Sequence, residues 1–324
     1  RTATYPDPLE HFKYGSIGSE PESGLPVAIW KALPVLFPEH FDGRADYSAF
    51  GLLYENDDDG NARDLPIGIS TRTVSGVELG WLNCAVCHTG EITRPGSGSP
   101  EIVAGMPANV FDLYGFITFL LDIADSEKLA PDSLLAAMEK SGTDLGPLDR
   151  LFWRFLVLPQ VREGLLAQRA ALSDLIAGQP AWGPGRVDTF NPYKVLQFGK
   201  TWAEFTEGER IGVSDFPSIF LQGPRDGMEL HWDGNNPSLK ERNLSAAIGA
   251  GVTPETVDHA AIERVAEWLM ELAPPPSPYR PDPALVEQGA AVYQEACAAC
   301  HGYQTDDGYV FEGETLGTVE PIDA

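Results

Sequence analysis

All four cysteines of the chain fall in two copies of one pattern, Cys84-Ala85-Val86-Cys87-His88 and Cys297-Ala298-Ala299-Cys300-His301. Cys-x-x-Cys-His is the spacing of c-type haem attachment. Two thiols add across the two vinyl groups of one haem, and the adjacent imidazole becomes the proximal ligand of its iron. Other uses of such cysteines explain less. Two structural disulfides do not require a histidine after each pair. A thioredoxin-like redox pair lies at a strand-to-helix turn and does not call for the same histidine twice. A zinc site built from two Cys-x-x-Cys pairs usually spaces them by tens of residues, whereas these lie far apart in the chain. The expected cofactors are two covalently bound haem c groups, held by Cys84, Cys87, Cys297 and Cys300, with His88 and His301 on the irons. Attachment of this kind implies an exported bacterial protein, periplasmic or secreted.

Few other residues can ligate iron. Outside the motifs the histidines are His11, His40, His231 and His259. His259 reads as a solvated helical residue and His40 as a turn residue. His11 and His231 have aromatic and glycine neighbours, which makes them candidates for the surroundings of a haem. Met106, in Gly105-Met106-Pro107, is a further candidate ligand, whereas Met138 and Met270 read as core positions. Arg186 and Arg72 are candidates for pairing with haem propionates, because guanidinium–carboxylate forks are strong. After His301 only the 23 residues Gly302–Ala324 follow, without His, Met, Cys or Lys. A sixth ligand for the second haem is therefore expected from elsewhere, and the chain is expected to lack a C-terminal segment.

The elements that must position these groups read as mainly α with long structured loops. Residues 1–80 look loop-rich, and the aromatic residues around His11–Gly15 and Ile29–Pro34 are expected to pack on core or on a haem edge. Residues 110–124 read as an amphipathic helix with Phe111, Tyr114, Ile117 and Leu121 on one face. Residues 127–141 and 148–177 are also helical in pattern, the latter broken at Pro159. Residues 178–245 are rich in Gly, Pro, Asn and Asp yet dense in aromatics, the pattern of a functional loop region. Helix returns at 255–272. The Pro-rich stretch 274–283 reads as a stiff connector, and 284–296 as a helix leading into the second motif. The expected organisation is a haem domain over 1–273, the connector 274–283, and the start of a cytochrome c-like module over 284–324.

Charge narrows the partners. Twenty-two Lys and Arg face 48 Asp and Glu, a formal charge of −26. Such a surface repels nucleic-acid phosphates and anionic leaflets, and it suits a basic electron-transfer partner. No apolar run reaches the ~18–20 residues of a membrane helix, so no membrane span is expected.

Several segments occur in a fixed order between the motifs: His11–Gly18, Asn83–Gly90, Trp182–Pro192, Asp215-Phe216-Pro217-Ser218-Ile219, and Leu230-His231-Trp232-Asp233-Gly234 followed by Ser238-Leu239. The series resembles the bacterial di-haem rubber oxygenases and their relatives, and more distantly the bacterial di-haem cytochrome c peroxidases. The resemblance implies a mostly helical fold with a peroxidase-like core around two haems. It implies that the haem on His88 is reactive and that the haem on His301 takes a second histidine. It also implies a phenylalanine over the reactive haem, carried across to Phe216 with Phe190 behind it.

Three functions follow as expectations. The first is an oxygenase that uses O₂ at the first haem to cleave a small apolar, isoprenoid-like substrate. The second is a peroxidase reducing H₂O₂ with electrons passed through the second haem, with Trp232 as a bridge and Glu204, Glu207 or Glu209 as the acid or base. The third is a non-enzymatic electron carrier, whose first iron would be capped by His11, His231 or Met106.

Overall fold

The computed structural model describes residues 5–57, 59–228, 230, 237–306 and 308–310. Helices predominate among them, with four small antiparallel sheets. Helix α1 (Pro8–Tyr14) starts on the cap of Asp7 and buries His11, Phe12 and Tyr14. The one-turn α2 (Glu20–Ser23) leads through β1 (Leu25–Pro26) into α3 (Val27–Leu36). Strands β2 (Ile69–Val74) and β3 (Val77–Leu82) pair in register Ile69↔Leu82 to Val74↔Val77, and β1 pairs on the other edge of β3. The first 80 residues are thus less loop-like than their composition suggests. Buried Ser16, Ser19 and Glu20 lock them to the sheet instead. The Glu20 carboxylate, fully buried, accepts from Ser16 Oγ at 2.8 Å and Ser70 Oγ at 2.5 Å.

The motif turn α4 (Cys84–Cys87) follows β3 directly, and a second hairpin, β4 (Thr89–Ile92) with β5 (Glu101–Ala104), follows it. Then comes α5 (Leu113–Ile123), the middle of the main core. Phe116, Phe119, Leu120 and Ile123 are buried on one side, and Leu121 with Tyr114 and Ile117 meets the later helices on the other. One face of α5 is expected from its periodicity; both are covered. Trp30 has no exposed surface. It stacks on Phe116 at 5.7 Å and 15°, and its Nε1 donates to the Gly80 carbonyl at 2.9 Å. It is a core residue, which decides between the two expectations for the Ile29–Pro34 segment.

Helices α6 (Pro131–Lys140), α7 (Pro147–Phe152) and α8 (Leu158–Gly178) complete this layer. The expected break at Pro159 does not occur. A single π turn, Trp153–Val157, joins α7 to α8, and Pro159 sits in the first turn of α8, where its missing N–H costs no helical bond. This run exposes Leu148, Leu151, Phe155 and Leu156.

The aromatic stretch 178–245 is more regular than a loop. It holds β6 (Arg186–Asp188), α9 (Asn191–Phe198) and β7 (Val213–Asp215), with β6 and β7 paired. Helix α10 (Leu239–Gly249), capped by Ser238 Oγ, begins before the stretch was expected to end. Buried Asp188 organises it, accepting from Gln179 Nε2, the N–H groups of Phe190 and Asn191, and Asn191 Nδ2. Helix α11 (His259–Glu271) packs Val265 and Leu269 into a cluster with Phe12, Ala85 and Ile219. Residues 272–282 carry neither helix nor strand. Helix α12 (Pro283–Ala296) runs into α13 (Ala298–His301), and a small hairpin of β8 (Tyr303–Thr305) and β9 (Gly308–Val310) closes the described chain. Leu285, Val286 and Val292 of α12 are exposed.

Candidate functional site

The first motif is held from both ends. Asn83 has an extended backbone and caps α4, its Oδ1 accepting from Ala85 N at 2.9 Å. Its Nδ2 donates to the carbonyls of Gly15 at 3.0 Å and Lys13 at 3.3 Å, and its own N–H donates to Gly68 at 2.8 Å. One buried side chain therefore ties the motif turn to the end of α1. Gly68 has φ +91°, and a Cβ there would lie 2.4 Å from both the backbone N and the Cα of Val86. The sheet backbone meets the motif turn with no room for a side chain. On the far side, the N–H of Gly105 donates to the His88 carbonyl at 2.8 Å and that of Ala108 to the Cys87 carbonyl at 3.0 Å. The Gly105–Ala108 bend is moulded on the motif.

The three chemical groups keep some surface. Cys84 and Cys87 form no disulfide. Burial pushes their thiols up to about 11 and about 12. A thioredoxin-type redox pair needs a depressed thiol, so these values oppose that use. Burial brings His88 down to about 4, against the opposing pull of its hydrogen bond, so the imidazole is neutral at pH 7. Its Nδ1 lies 3.0 Å from the Pro217 carbonyl oxygen. A carbonyl only accepts, so Nδ1 carries the proton and Nε2 the lone pair. Nε2 has no hydrogen-bond partner among the described residues. A neutral imidazole oriented through Nδ1 by a carbonyl is the arrangement that presents Nε2 to a metal. Two thiols and this imidazole fit a c-type haem: the sulfurs would carry the thioether bonds and Nε2 would take the iron.

The other expected residues lie as follows. Phe216 is 3% exposed, stacked on Phe111 at 6.3 Å and 8°, and its N–H donates to Gly185. Its chain neighbour Pro217 is the residue whose carbonyl meets His88 Nδ1. Phe190, 40% exposed, precedes α9. Arg186 is exposed on β6 and pairs with Asp215 Oδ1 at 3.2 Å. Arg72 donates to Ser16 Oγ at 3.0 Å and faces Glu20 and Asp258 at 3.8 and 3.5 Å. Trp232 and His231 lie outside the described residues. The ring of His11 is buried between Tyr5 and Arg264, His40 packs on Phe37 and Phe119, and His259 is exposed on α11. The Met106 side chain lies against Gly90. Glu204 and Glu209 close capping boxes on Thr201 and Thr206, and Glu209 also binds Lys194 at 2.8 Å. Those hydrogen bonds hold Glu204 below the usual carboxylate range and bring Glu209 to about 2.

At the second motif, Cys297 is half-buried between α12 and α13 and His301 is exposed. The side chain of Cys300 lies outside the described residues. Tyr293 Oη donates to the Gly302 carbonyl at 2.6 Å, which ties α12 to the motif. A cavity of about 520 Å³ opens beside it, lined by Val286, Gly289, Tyr293 and Tyr303 among others. Among the described residues no group of three or more His, Cys, Asp or Glu side chains could hold a metal ion.

Asn83, Gly68 and the Pro217 carbonyl contact the motif in ways the sequence did not assign to them, although Asn83 and Pro217 lie in segments that carry the resemblance. The asparagine next to Cys84 carries a helix-cap signal. Nothing in the spacing pairs Pro217 with a histidine 129 positions before it.

Comparison with known proteins is sparse. No family model and no solved structure matches the chain. Over 65 residues it is 35% identical to cytochrome c550 of Pseudomonas aeruginosa, which covers 20% of this chain and 45% of that protein. Over 99 residues it is 30% identical to uncharacterized protein y4iM of Sinorhizobium fredii, covering 31% of this chain and 22% of that protein. The chain thus spans less than half the length of either relative. The match to cytochrome c550 suggests a cytochrome c relationship over a fifth of the chain.

Proposed function

We propose that this chain is an exported di-haem c-type cytochrome with oxidoreductase activity. The haem tethered by Cys84 and Cys87 is its reactive centre, and a second haem at Cys297 and Cys300 relays electrons. One observation carries the reading: His88 donates a hydrogen bond from Nδ1 to the Pro217 carbonyl and, among the described residues, leaves Nε2 without a partner, beside two partly exposed thiols that form no disulfide. The partial similarity to cytochrome c550 supports haem c as the cofactor.

When bound, the haem supplies an iron that can take O₂, with the surrounding polarity deciding between binding, activation and electron transfer. The protein does the positioning. Asn83 and the close contact at Gly68 hold the motif turn. The Pro217 carbonyl fixes the imidazole's tautomer and ring orientation and raises its basicity toward iron. Phe216, stacked on Phe111 and next to Pro217 in the chain, holds the 215–219 segment in place, which makes it a positioning residue in this reading. The substrate class is a small apolar, isoprenoid-like molecule cleaved oxidatively. Splitting H₂O₂ in a peroxidase calls for an acid or base, and two of the three candidates, Glu204 and Glu209, are taken up by capping hydrogen bonds; the oxygenase is the reading we favour. The similarity to cytochrome c550 favours a second reading, a carrier that only transfers electrons.

Intact mass and ferrous spectra of the purified holoprotein test this. Two haem masses added to the peptide, reduced to one in Cys84→Ser/Cys87→Ser, support the attachment. CO or O₂ binding at one ferrous haem, with O₂-dependent cleavage of an isoprenoid alkene, supports the oxygenase. Two haems that bind no external ligand leave the carrier, and a haem-free protein overturns both readings.

A further inference from the structure

A second group of residues holds a buried donor that has no partner among the described residues, together with two arginines. Gln222, 1% exposed, has an Nε2 with no hydrogen-bond partner, while its Oε1 accepts from Asn243 Nδ2 at 3.3 Å. Asn243 Oδ1 in turn accepts from Arg242 Nη2 at 3.1 Å. The N–H of Arg225 donates to the Gln222 carbonyl at 3.0 Å. Among the described residues, neither Arg225 nor Arg242 has a carboxylate within 4.0 Å, in a chain with 48 acidic side chains. The two guanidiniums are close enough to repel each other, and Arg242 is partly desolvated as well. Two like charges and an orphaned buried donor in one place are costly unless an anion joins them.

The cluster is joined to the tether through one helix. Cys84 packs on the cluster that contains Ala247, toward the end of α10 opposite Arg242, and the Arg242 charge bears on both Cys84 and His88. Arg186 and Arg72, the arginines first expected to meet propionates, already have acid partners.

We infer that Gln222, Arg225 and Arg242 form a carboxylate-binding site, and that its occupants are the propionates of the haem tethered at Cys84 and Cys87. The inference rests on the attachment proposed above. Guanidinium forks match carboxylates in two-point geometry, and a tether at Cys84 holds the propionates at high effective concentration. Neutralising them beside two cations raises the potential of this haem relative to the same haem without them, because a nearby positive charge disfavours the ferric state.

The test uses the holoprotein with both haems, in wild type, Arg242→Gln, Arg242→Lys and Arg225→Gln. Covalent haem is counted by mass, the two midpoint potentials by spectroelectrochemistry, and propionate bending bands by resonance Raman. The expected result is two haems in every variant. In Arg242→Gln one midpoint falls, the other stays, and the bending band shifts. Arg242→Lys recovers part of the change, and Arg225→Gln gives a smaller shift of the same sign. Two haems with unmoved potentials and bands overturn the carboxylate site and leave the attachment standing. No haem at Cys84 and Cys87 in the wild type overturns the attachment itself. Acetate is the probe for a free carboxylate: saturable spectral shifts in the wild type, lost in Arg242→Gln, would overturn the propionate assignment.

Discussion

Asn83→Ala is the sharpest test of how the first motif is held. Asn83 is 2% exposed and makes three side-chain hydrogen bonds. Truncation strands the Ala85 N–H and the Gly15 carbonyl; the Lys13 carbonyl keeps the N–H of Gly68. Losing a helix cap costs about 1 kcal/mol. Leaving a buried carbonyl unpaired costs about 1–3 kcal/mol. The sum is roughly 2–4 kcal/mol, a large share of the roughly 5–15 kcal/mol that hold a typical domain folded. Asn83→Ser keeps an acceptor for Ala85 but is too short to reach Gly15, so it should recover about 1 kcal/mol. Urea unfolding of the holoprotein, followed by far-UV circular dichroism, reads the difference as a shifted midpoint at constant slope. An Asn83→Ala variant within about 0.5 kcal/mol of wild type, the range of an ordinary surface change, would refute this account. So would a serine variant no better than alanine.

Gly68→Ala places a methyl group 2.4 Å from the Val86 backbone at a φ of +91°. The left-handed backbone alone costs about 1–2 kcal/mol. Mass spectrometry should therefore find less haem attached at the first motif and normal attachment at the second. Arg72→Ala removes the cation nearest the fully buried Glu20. An orphaned buried charge costs about 3–5 kcal/mol, so the melting temperature should drop sharply, and adding Glu20→Gln should restore much of it. His11 is 3% exposed, and burial together with Arg264 lowers its pKa from 6.5. The unfolded chain therefore binds the extra proton first on acidification. Stability contributed by neutral His11 is complete above pH 6.5 and declines as pH falls through the lowered folded value. In His11→Gln the stability loss between pH 7 and pH 4.5 should be smaller than in wild type; an unchanged slope would remove His11 from the account.

The residue pattern by itself determined the chemistry on offer. Two Cys-x-x-Cys-His runs carry the spacing expected of c-type haem attachment, and a local rule needs no fold to be read. The helices at 113–123, 131–140, 259–271 and 283–296 were legible for the same reason: their apolar periodicity repeats every turn. The continuity of the helix through Pro159 was not, because one π turn placed the proline where its missing N–H is harmless. The order in 186–249 was also hidden, since buried Asp188 gathers donors that composition reads as loop. The site itself needed the tertiary structure. Which carbonyl orients His88 and which arginines meet acids both depend on contacts between segments far apart in the chain. Guanidinium chemistry pointed at Arg186 and Arg72. Only packing decided that those two have acid partners and that, among the described residues, Arg225 and Arg242 have none, because an ion pair is settled by a few ångströms of distance that composition does not encode.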